Sequence, residues 1–382
     1  MRRVLFVSNG HGESAIAERI AQEAAALARA PLGLDHLALV GVPQAGGPLT
    51  MVGPRRSLPS GGLVAMGNVR AFARDLRAGF AGLFAQQVGF LRAEGSRYDA
   101  VVAVGDAYAL SLARLAKRPT IFVGTAKSVY CAPYGRWERR LLRKASRTFV
   151  RDAATAERLR AQGVAAEAPG NVIADLTVTD GAAAPPAAIA ILPGSREPAY
   201  AEALVLTRIV RALSGGVPAT LSIAPGLDPE RFASALASDG WSVERQSEGP
   251  VAFTARFGEH AVFGWQGPAG ALFGSAAIAL GQAGTANEQA AAAGLPVVAL
   301  DDDGPPGGRR RRESWYRMRQ RRLLGEALVL VRPDPDAGAA AVQALLDDAP
   351  RRARMGAVGR ERMGPPGGTR AVALAVVEVV QA

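Results

Sequence analysis

The sequence predicts two α/β domains, each a parallel sheet doubly wound by helices, with a cleft between them. Three observations carry that prediction. Short apolar runs alternate with helical stretches along nearly the whole chain, the β-α-β rhythm that a parallel sheet requires. The rhythm breaks once, over 175–186, where the sequence has neither strand nor helix period and ends on Pro185 and Pro186; such a stretch reads as a linker. At 382 residues the chain also exceeds one ordinary core.

Element by element, residues 4–7 predict a buried strand and 14–29 an Ala-rich helix. A second strand follows over 37–42, then a Gly/Pro-rich loop and a long helical stretch over 69–94. Residues 100–104 and 120–123 predict strands flanking a helix over 107–117. A basic helix over 136–145 leads to a short strand over 148–150. Beyond the linker, strands are expected over 188–192, 219–224, 276–280, 296–300 and 327–331, with helices over 199–213, 229–237, 285–293 and 313–323 between them. The domains thus run over 1–175 and 187–366, and a final helix, within 367–382, is expected to cross back to the first. Residues 262–287 carry no charge over a bilayer's length, yet Gly264, Gly267, Pro268, Gly270, Gly274, Gly281 and Gly284 punctuate them. They read as strand, turn, helix, strand and turn, not as a membrane span.

Hydrophobic content of 49% with 21% charge fits a folded globular protein. The net charge of +11 is almost all Arg, since Lys occurs only at Lys117, Lys127 and Lys144. Such a surface attracts anionic membranes and phosphorylated substrates. No nucleic-acid-reading motif accompanies it, so no nucleic-acid partner is expected. The single Cys131 excludes an internal disulfide and a cysteine zinc site and fits a reducing cytoplasm. The N-terminus reads as a strand entering a Gly turn, too short in its apolar run for a signal peptide.

Two strings each follow an expected strand and open a helix. Pro193, Gly194, Ser195, Arg196 and Glu197 offer a flexible backbone, a hydroxyl and a guanidinium fork ahead of a helix N-terminus, a setting that favours phosphate. Gly284, Thr285, Asn287 and Glu288 repeat the arrangement, with Glu288 one turn in, where a carboxylate can accept from ribose hydroxyls. No Gly-Lys-Ser/Thr follows either string, so neither is a P-loop. Together they point to a nucleoside diphosphate at the carboxyl ends of a parallel sheet.

In the first domain, Asn9, Gly10, His11, Gly12 and Glu13 form the loop after the first strand. The next strand ends without the acid that a dinucleotide site needs, so the loop is expected to line the cleft opposite the nucleotide. His11 and Glu13 are candidate bases. Asp106 either caps the following helix or serves as a catalytic carboxylate. Asp301, Asp302 and Asp303 precede an Arg run over 309–312 that would neutralise them, so no metal site is expected. That run, with Arg317, Arg319, Arg321 and Arg322, is expected to form a solvated face. Phe72, Leu76, Phe80 and Phe84 recur at helical spacing beside Arg74 and Arg77, the pattern of an interfacial helix, with Phe80, Phe84 and Arg77 as candidate membrane contacts. Core packing explains the aromatics equally.

Taken together, the Asn9–Glu13 loop, Gly105–Asp106–Ala107, Leu192–Glu197, Ala283–Glu288 and the run Gly294, Leu295, Pro296, Val297 and Val298 resemble the lipid-A-disaccharide synthase family, most closely its synthase-related branch. The resemblance extends over nearly the whole chain. It implies a GT-B fold, two Rossmann-like domains with an inter-domain cleft. It also implies an inverting, metal-independent glycosyltransferase that uses a UDP-sugar as substrate, needs no cofactor, and works on a lipid-linked or acylated sugar at the cytoplasmic membrane face. The donor would lie by Gly194, Ser195, Arg196, Gly284, Thr285, Asn287 and Glu288. The acceptor would lie by Asn9, Gly10, Gly12 and His11, with His11 or Asp106 taking its proton. The first loop lacks the family's final acid, and the acid of the last motif comes one place early, at Glu288, with Gln289 in its stead. Two other readings fit the same fold: a UDP-sugar 2-epimerase or hydrolase, and a non-catalytic nucleotide-sugar binder.

Overall fold

The computed structural model describes residues 1–41, 47–56, 58, 69–177, 183–301 and 315–381, with side chains at all of these but 11, 69–71, 315 and 316. The chain folds as two compact units, Met1–Asp175 with Pro366–Ala382, and Leu176–Pro365.

The first unit holds a six-stranded sheet of β1 (Arg3–Ser8), β2 (Gly33–Ala38), β3 (Thr50–Met51), β4 (Ala100–Gly105), β5 (Thr120–Gly124) and β6 (Arg147–Val150). Its order is β3-β2-β1-β4-β5-β6, and every pairing is parallel. This is the strand order of a doubly wound sheet whose direction of travel reverses between β1 and β4. Leu5, Val7, Leu37, Val101, Ala103 and Phe122 are among the residues that pack its core.

The second unit holds β7 (Ile189–Leu192), β8 (Pro218–Ser222), β9 (Ser242–Arg245), β10 (Val251–Phe257), β11 (His260–Trp265), β12 (Ile278–Gly281), β13 (Val297–Leu300) and β14 (Leu328–Val331). Its order is β14-β13-β12-β7-β8-β11-β10-β9. Pairings from β14 to β11 are parallel; β10 and β9 add an antiparallel edge. Here the reversal falls between β7 and β12. The uncharged stretch over 262–287 supplies the end of β11, the helix Gly270–Phe273 and β12, and no helix among the described residues is long and apolar enough to cross a membrane.

Several elements differ from expectation for definable reasons. The second strand lies over Gly33–Ala38, ahead of the expected 37–42. Two polar residues sit inside it, Asp35 and His36, both buried; Asp35 is held by Arg3 and Tyr98. The helical stretch over 69–94 is two helices, Val69–Arg77 and Phe80–Glu94, separated at Gly79, whose φ of 92° is left-handed. Phe80, a candidate for either membrane contact or core packing, is buried with Val40, Leu58 and Leu83.

The last helix, Gly368–Gln381, packs on the first, His11–Leu27. Its entry is fixed by one side chain. Asp175 accepts from Gly367 N at 2.5 Å and from Thr369 N at 2.6 Å, satisfying helix N-terminal donors with a negative charge. Replacing Asp175 by Ala is expected to lower unfolding stability by about 2 kcal/mol, read as a lower urea midpoint at unchanged m-value.

Candidate functional site

At the carboxyl edge of the first sheet, β1 and β4 lie side by side, with Ser8 paired to Val104. The chain leaves β1 through Asn9 and Gly10 and leaves β4 through Gly105 and Asp106. Both glycines have positive φ, 133° and 126°. A Cβ on Gly10 would stand 2.7 Å from Glu13 Oε2, and one on Gly105 would stand 3.1 Å from Glu13 Cγ. The backbone angle favours glycine at both positions, and Glu13 packs close against both.

These turns bring Asn9, Glu13 and Asp106 together. Asp106 divides its carboxylate. Oδ1 accepts from Tyr108 N and Ala109 N at 3.0 and 3.1 Å, capping the helix Ala107–Ala113. Oδ2 accepts from Asn9 Nδ2 at 3.1 Å. Burial pushes the Asp106 carboxyl above the usual carboxylate range, against these hydrogen bonds, which act to lower it. Thr125 Oγ1, just past β5, donates to Glu13 Oε1 at 3.4 Å. Arg151, just past β6 and buried, donates to the Thr125 carbonyl at 3.1 Å. The backbone of His11 and Gly12 opens the helix His11–Leu27; the His11 side chain lies outside the described ones.

Beneath this loop runs a buried chain of polar side chains with no counterpart in the sequence reading. His36 Nε2 lies 2.8 Å from Ser8 Oγ, Ser8 Oγ lies 3.0 Å from Ser14 Oγ, and Ser14 Oγ donates to Gly10 O at 2.9 Å. Burial, with the Arg55 charge as a second cause, lowers His36 from 6.5 to about 4.

In the second unit, β7 and β12 lie side by side, with Leu192 paired to Gly281. Leu192 O accepts from both Gln282 N and Ala283 N, at 2.9 and 3.0 Å, so the two outgoing loops start from one point. Gly194 has φ 122° and open space where a Cβ would point. Ser195, Arg196 and Glu197 are exposed ahead of the helix Ala199–Arg211. Glu197 pairs with Arg231, whose guanidinium lies 3.7 Å over the Tyr200 ring. The helix Thr285–Ala293 begins at Gly284 with no side-chain cap, an arrangement suited to an anion. Thr285 is half-buried at its head.

Two residues of the second string have buried side chains with partners inside the protein. Asn287 is wholly buried. It donates to Gly281 O at 3.0 Å, and a Cβ on Gly281 would stand 2.2 Å from its Oδ1; its side chain shapes the loop from below. Glu288 is also buried, and Arg319 donates to its Oε1 at 3.3 Å. The expectation of a solvated Arg face is corrected for two members, since Arg317 and Arg319 are largely buried. Arg317 donates to Gln282 O at 3.2 Å and to Gln320 Oε1 at 2.8 Å. Gln320 in turn donates to the carbonyls of Ala283 and Gly284 at 3.2 and 3.4 Å. The helix Trp315–Leu324 thus braces the loop. Arg321 and Arg322 are exposed. Asp302, Asp303 and the Arg run over 309–312 lie outside the described residues.

The whole chain is similar to solved structures of low sequence identity. A UDP-glucosyltransferase from Polygonum tinctorium aligns with TM-score 0.58 at 10% identity, over 100% of this chain and 99% of that one. MurG from Acinetobacter baumannii aligns with TM-score 0.53 at 14% identity, over 100% and 99%. A UDP-GlcNAc 2-epimerase from Neisseria meningitidis, solved bound to UDP-GlcNAc, aligns with TM-score 0.51 at 14% identity, over 99% of each chain. No protein-family model and no curated protein sequence matches. The fold is GT-B, two Rossmann-like α/β units.

Folding holds His36 uncharged. The unfolded chain takes up a proton near pH 6.5 that the folded protein refuses until about 4. Stability is therefore full above 6.5 and falls as pH drops toward 4, by about 3 kcal/mol from this group. Denaturant titrations across that range are expected to show the loss, and His36→Gln is expected to flatten it.

Proposed function

We propose that the protein transfers a sugar of the N-acetylglucosamine type from a UDP-sugar to a lipid-linked or acylated sugar, with inversion and without a metal, as a relative of lipid-A-disaccharide synthase at the inner face of the cytoplasmic membrane. The observation that carries this reading is placement. Four of the five strings, those that follow β1, β4, β7 and β12, lie at the two reversal points, β1/β4 and β7/β12, where doubly wound sheets bind their ligands. In this reading the UDP diphosphate sits over Gly194, Ser195 and Arg196 and the uncapped end of Thr285–Ala293. Arg196 and the helix ends stabilise the charge that develops on the departing UDP. Asp106 or His11 removes the proton of the acceptor hydroxyl as its oxygen attacks the anomeric carbon from the face opposite the leaving group. Glu13 and Asn9 flank that reaction centre.

The names of the structural neighbours support UDP-sugar chemistry, and they include an epimerase as well as transferases. A UDP-sugar 2-epimerase is accordingly the second reading; it would turn over donor with no acceptor present. A binding protein without turnover would tolerate loss of Asp106 and His11.

The lipid side of the proposal draws on one surface. From 78 to 91 the chain carries no charge, although Ala81, Gly82, Phe84, Ala85, Gln86 and Gly89 of the helix Phe80–Glu94 are exposed. Phe72 and Leu76 add to this face, and Arg74, Arg77 and Arg92 bracket it. An apolar helix face between arginines suits an anionic bilayer. A second copy of the chain laid on it would bring like charges together.

Calorimetric titration of UDP is expected to show binding that Arg196→Ala weakens about tenfold or more; a folded sample that does not bind UDP would sink the transferase reading. Sedimentation with phosphatidylglycerol vesicles is expected to carry the protein down, with phosphatidylcholine vesicles failing to do so. Phe84→Glu is expected to abolish the effect while leaving UDP affinity intact.

A further inference from the structure

We propose that His36 is a positioning residue for the Asn9–Asp106 centre, the donor end of a one-way hydrogen-bond chain that sets the Gly10 turn. The proposal rests on the reading of Asp106 as part of the reaction centre, but its test does not depend on turnover.

The direction of the chain follows from counting protons. Gly10 O can only accept, so the single Ser14 hydroxyl proton points to it. Ser14 Oγ must then accept from Ser8, which uses the single Ser8 proton. Ser8 Oγ must in turn accept from His36, so Nε2 carries the hydrogen and Nδ1 is bare. The alternative, a bare Nε2 accepting from Ser8, leaves one hydroxyl proton for the two remaining contacts, so either Ser8 and Ser14 meet as two acceptors or Gly10 O keeps only the Ser14 amide as its donor. Burial and the neighbouring Arg55 charge both oppose a second proton on the ring, so one tautomer is held at neutral pH.

The geometry explains why this reaches Asp106. Gly10 lies one residue past Asn9 and begins the turn at a φ only glycine adopts readily. Asn9 Nδ2 donates to Asp106 Oδ2. A reversed amide would set the Asn9 carbonyl oxygen against the carboxylate, so the Asn9 side chain keeps one amide orientation while the loop backbone sets its reach to Asp106. Since β1 lies between β2 and β4, the loop after β1 is gripped from both sides. His36 on β2 holds it through Ser8 and Ser14, and Asp106 after β4 holds it through Asn9. Releasing the first grip loosens the second, and Asp106 loses the donor that favours its charged form.

The test uses nuclear magnetic resonance on the full chain with three variants. His36→Gln keeps an N–H at the end of the side chain. His36→Phe keeps the ring and removes the donor. Ser8→Ala cuts the chain at its second link and serves where the Phe variant does not fold. The imidazole nitrogen-15 signals of the unaltered protein are expected to be those of the Nε2–H tautomer at neutral pH. The Asp106 carboxyl titration, followed through carbon-13, is expected to rise in the Phe and Ala variants, by about tenfold in proton affinity, and to return in the Gln variant. UDP affinity, a property of the other unit, is expected to stay unchanged in all three. An Nδ1–H tautomer, a charged ring at neutral pH, or an Asp106 titration unmoved in folded variants overturns the proposal. Absence of UDP binding to the unaltered protein would overturn the transferase reading and leave these readouts standing.

Discussion

In a parallel sheet every strand ends at the same edge, so every outgoing loop of a doubly wound domain is delivered there. Where the order of strands reverses, the two loops flanking the reversal depart in opposite directions and leave space between them. This chain builds that situation twice, between β1 and β4 and between β7 and β12. The strands are buried at these points and, Ser8 apart, apolar. They fix where the loops begin. The remaining features of both candidate sites depend on that placement.

A loop at a sheet edge is held only as well as its backbone groups are satisfied. Each unit solves this with buried side chains reaching up from below. In the first, His36, Ser8 and Ser14 end on the Gly10 carbonyl. In the second, Arg317, Gln320 and Asn287 take up the carbonyls of residues 281–284. Both networks spend their donors on loop carbonyls. The amide ends of the helices behind those loops, which are what an anion would meet, receive no such side chain from Gly10 or Gly284. The division has a cost in sequence freedom: Gly10 and Gly105 make positive-φ turns against Glu13, and a Cβ on Gly281 would strike Asn287.

The parallel alternation and both edge motifs were legible because they are written in local signals: β-branched runs, glycine turns and helix-opening residues. What escaped was carried by long-range pairing. The strand β2 was displaced in the sequence reading because Asp35 and His36 interrupt its apolar pattern; both are tolerated inside only because Arg3, Tyr98 and Ser8 meet them from other elements. The edge strand β9 exposes most of its residues and so lacks the alternation that marks a half-buried strand. Arg317 and Arg319 looked like part of a solvated run because nothing local distinguishes an arginine that will be buried against Gln282 or Glu288 from its exposed neighbours Arg321 and Arg322. Asp106 stood open between a cap and a reactive carboxylate, and the structure shows why the sequence could not choose: its two oxygens have different partners.

That division also sets Asp106 apart from the other acids at these loops. Glu197 is exposed, and its hydrogen bonds with Arg231 pull its carboxyl below the ordinary range, which makes it a poor proton acceptor. Glu288 faces Arg319 in a buried ion pair, where gaining a proton would leave the arginine charge uncompensated. Among the described side chains Asp106 has no cation partner. One oxygen is anchored by two backbone amides, so the group cannot swing away, and the other meets a single neutral donor. Desolvation raises its proton affinity while the anchoring bonds keep its geometry. A carboxylate fixed in place and desolvated, with no counter-ion among the described residues, suits the role of base proposed for it.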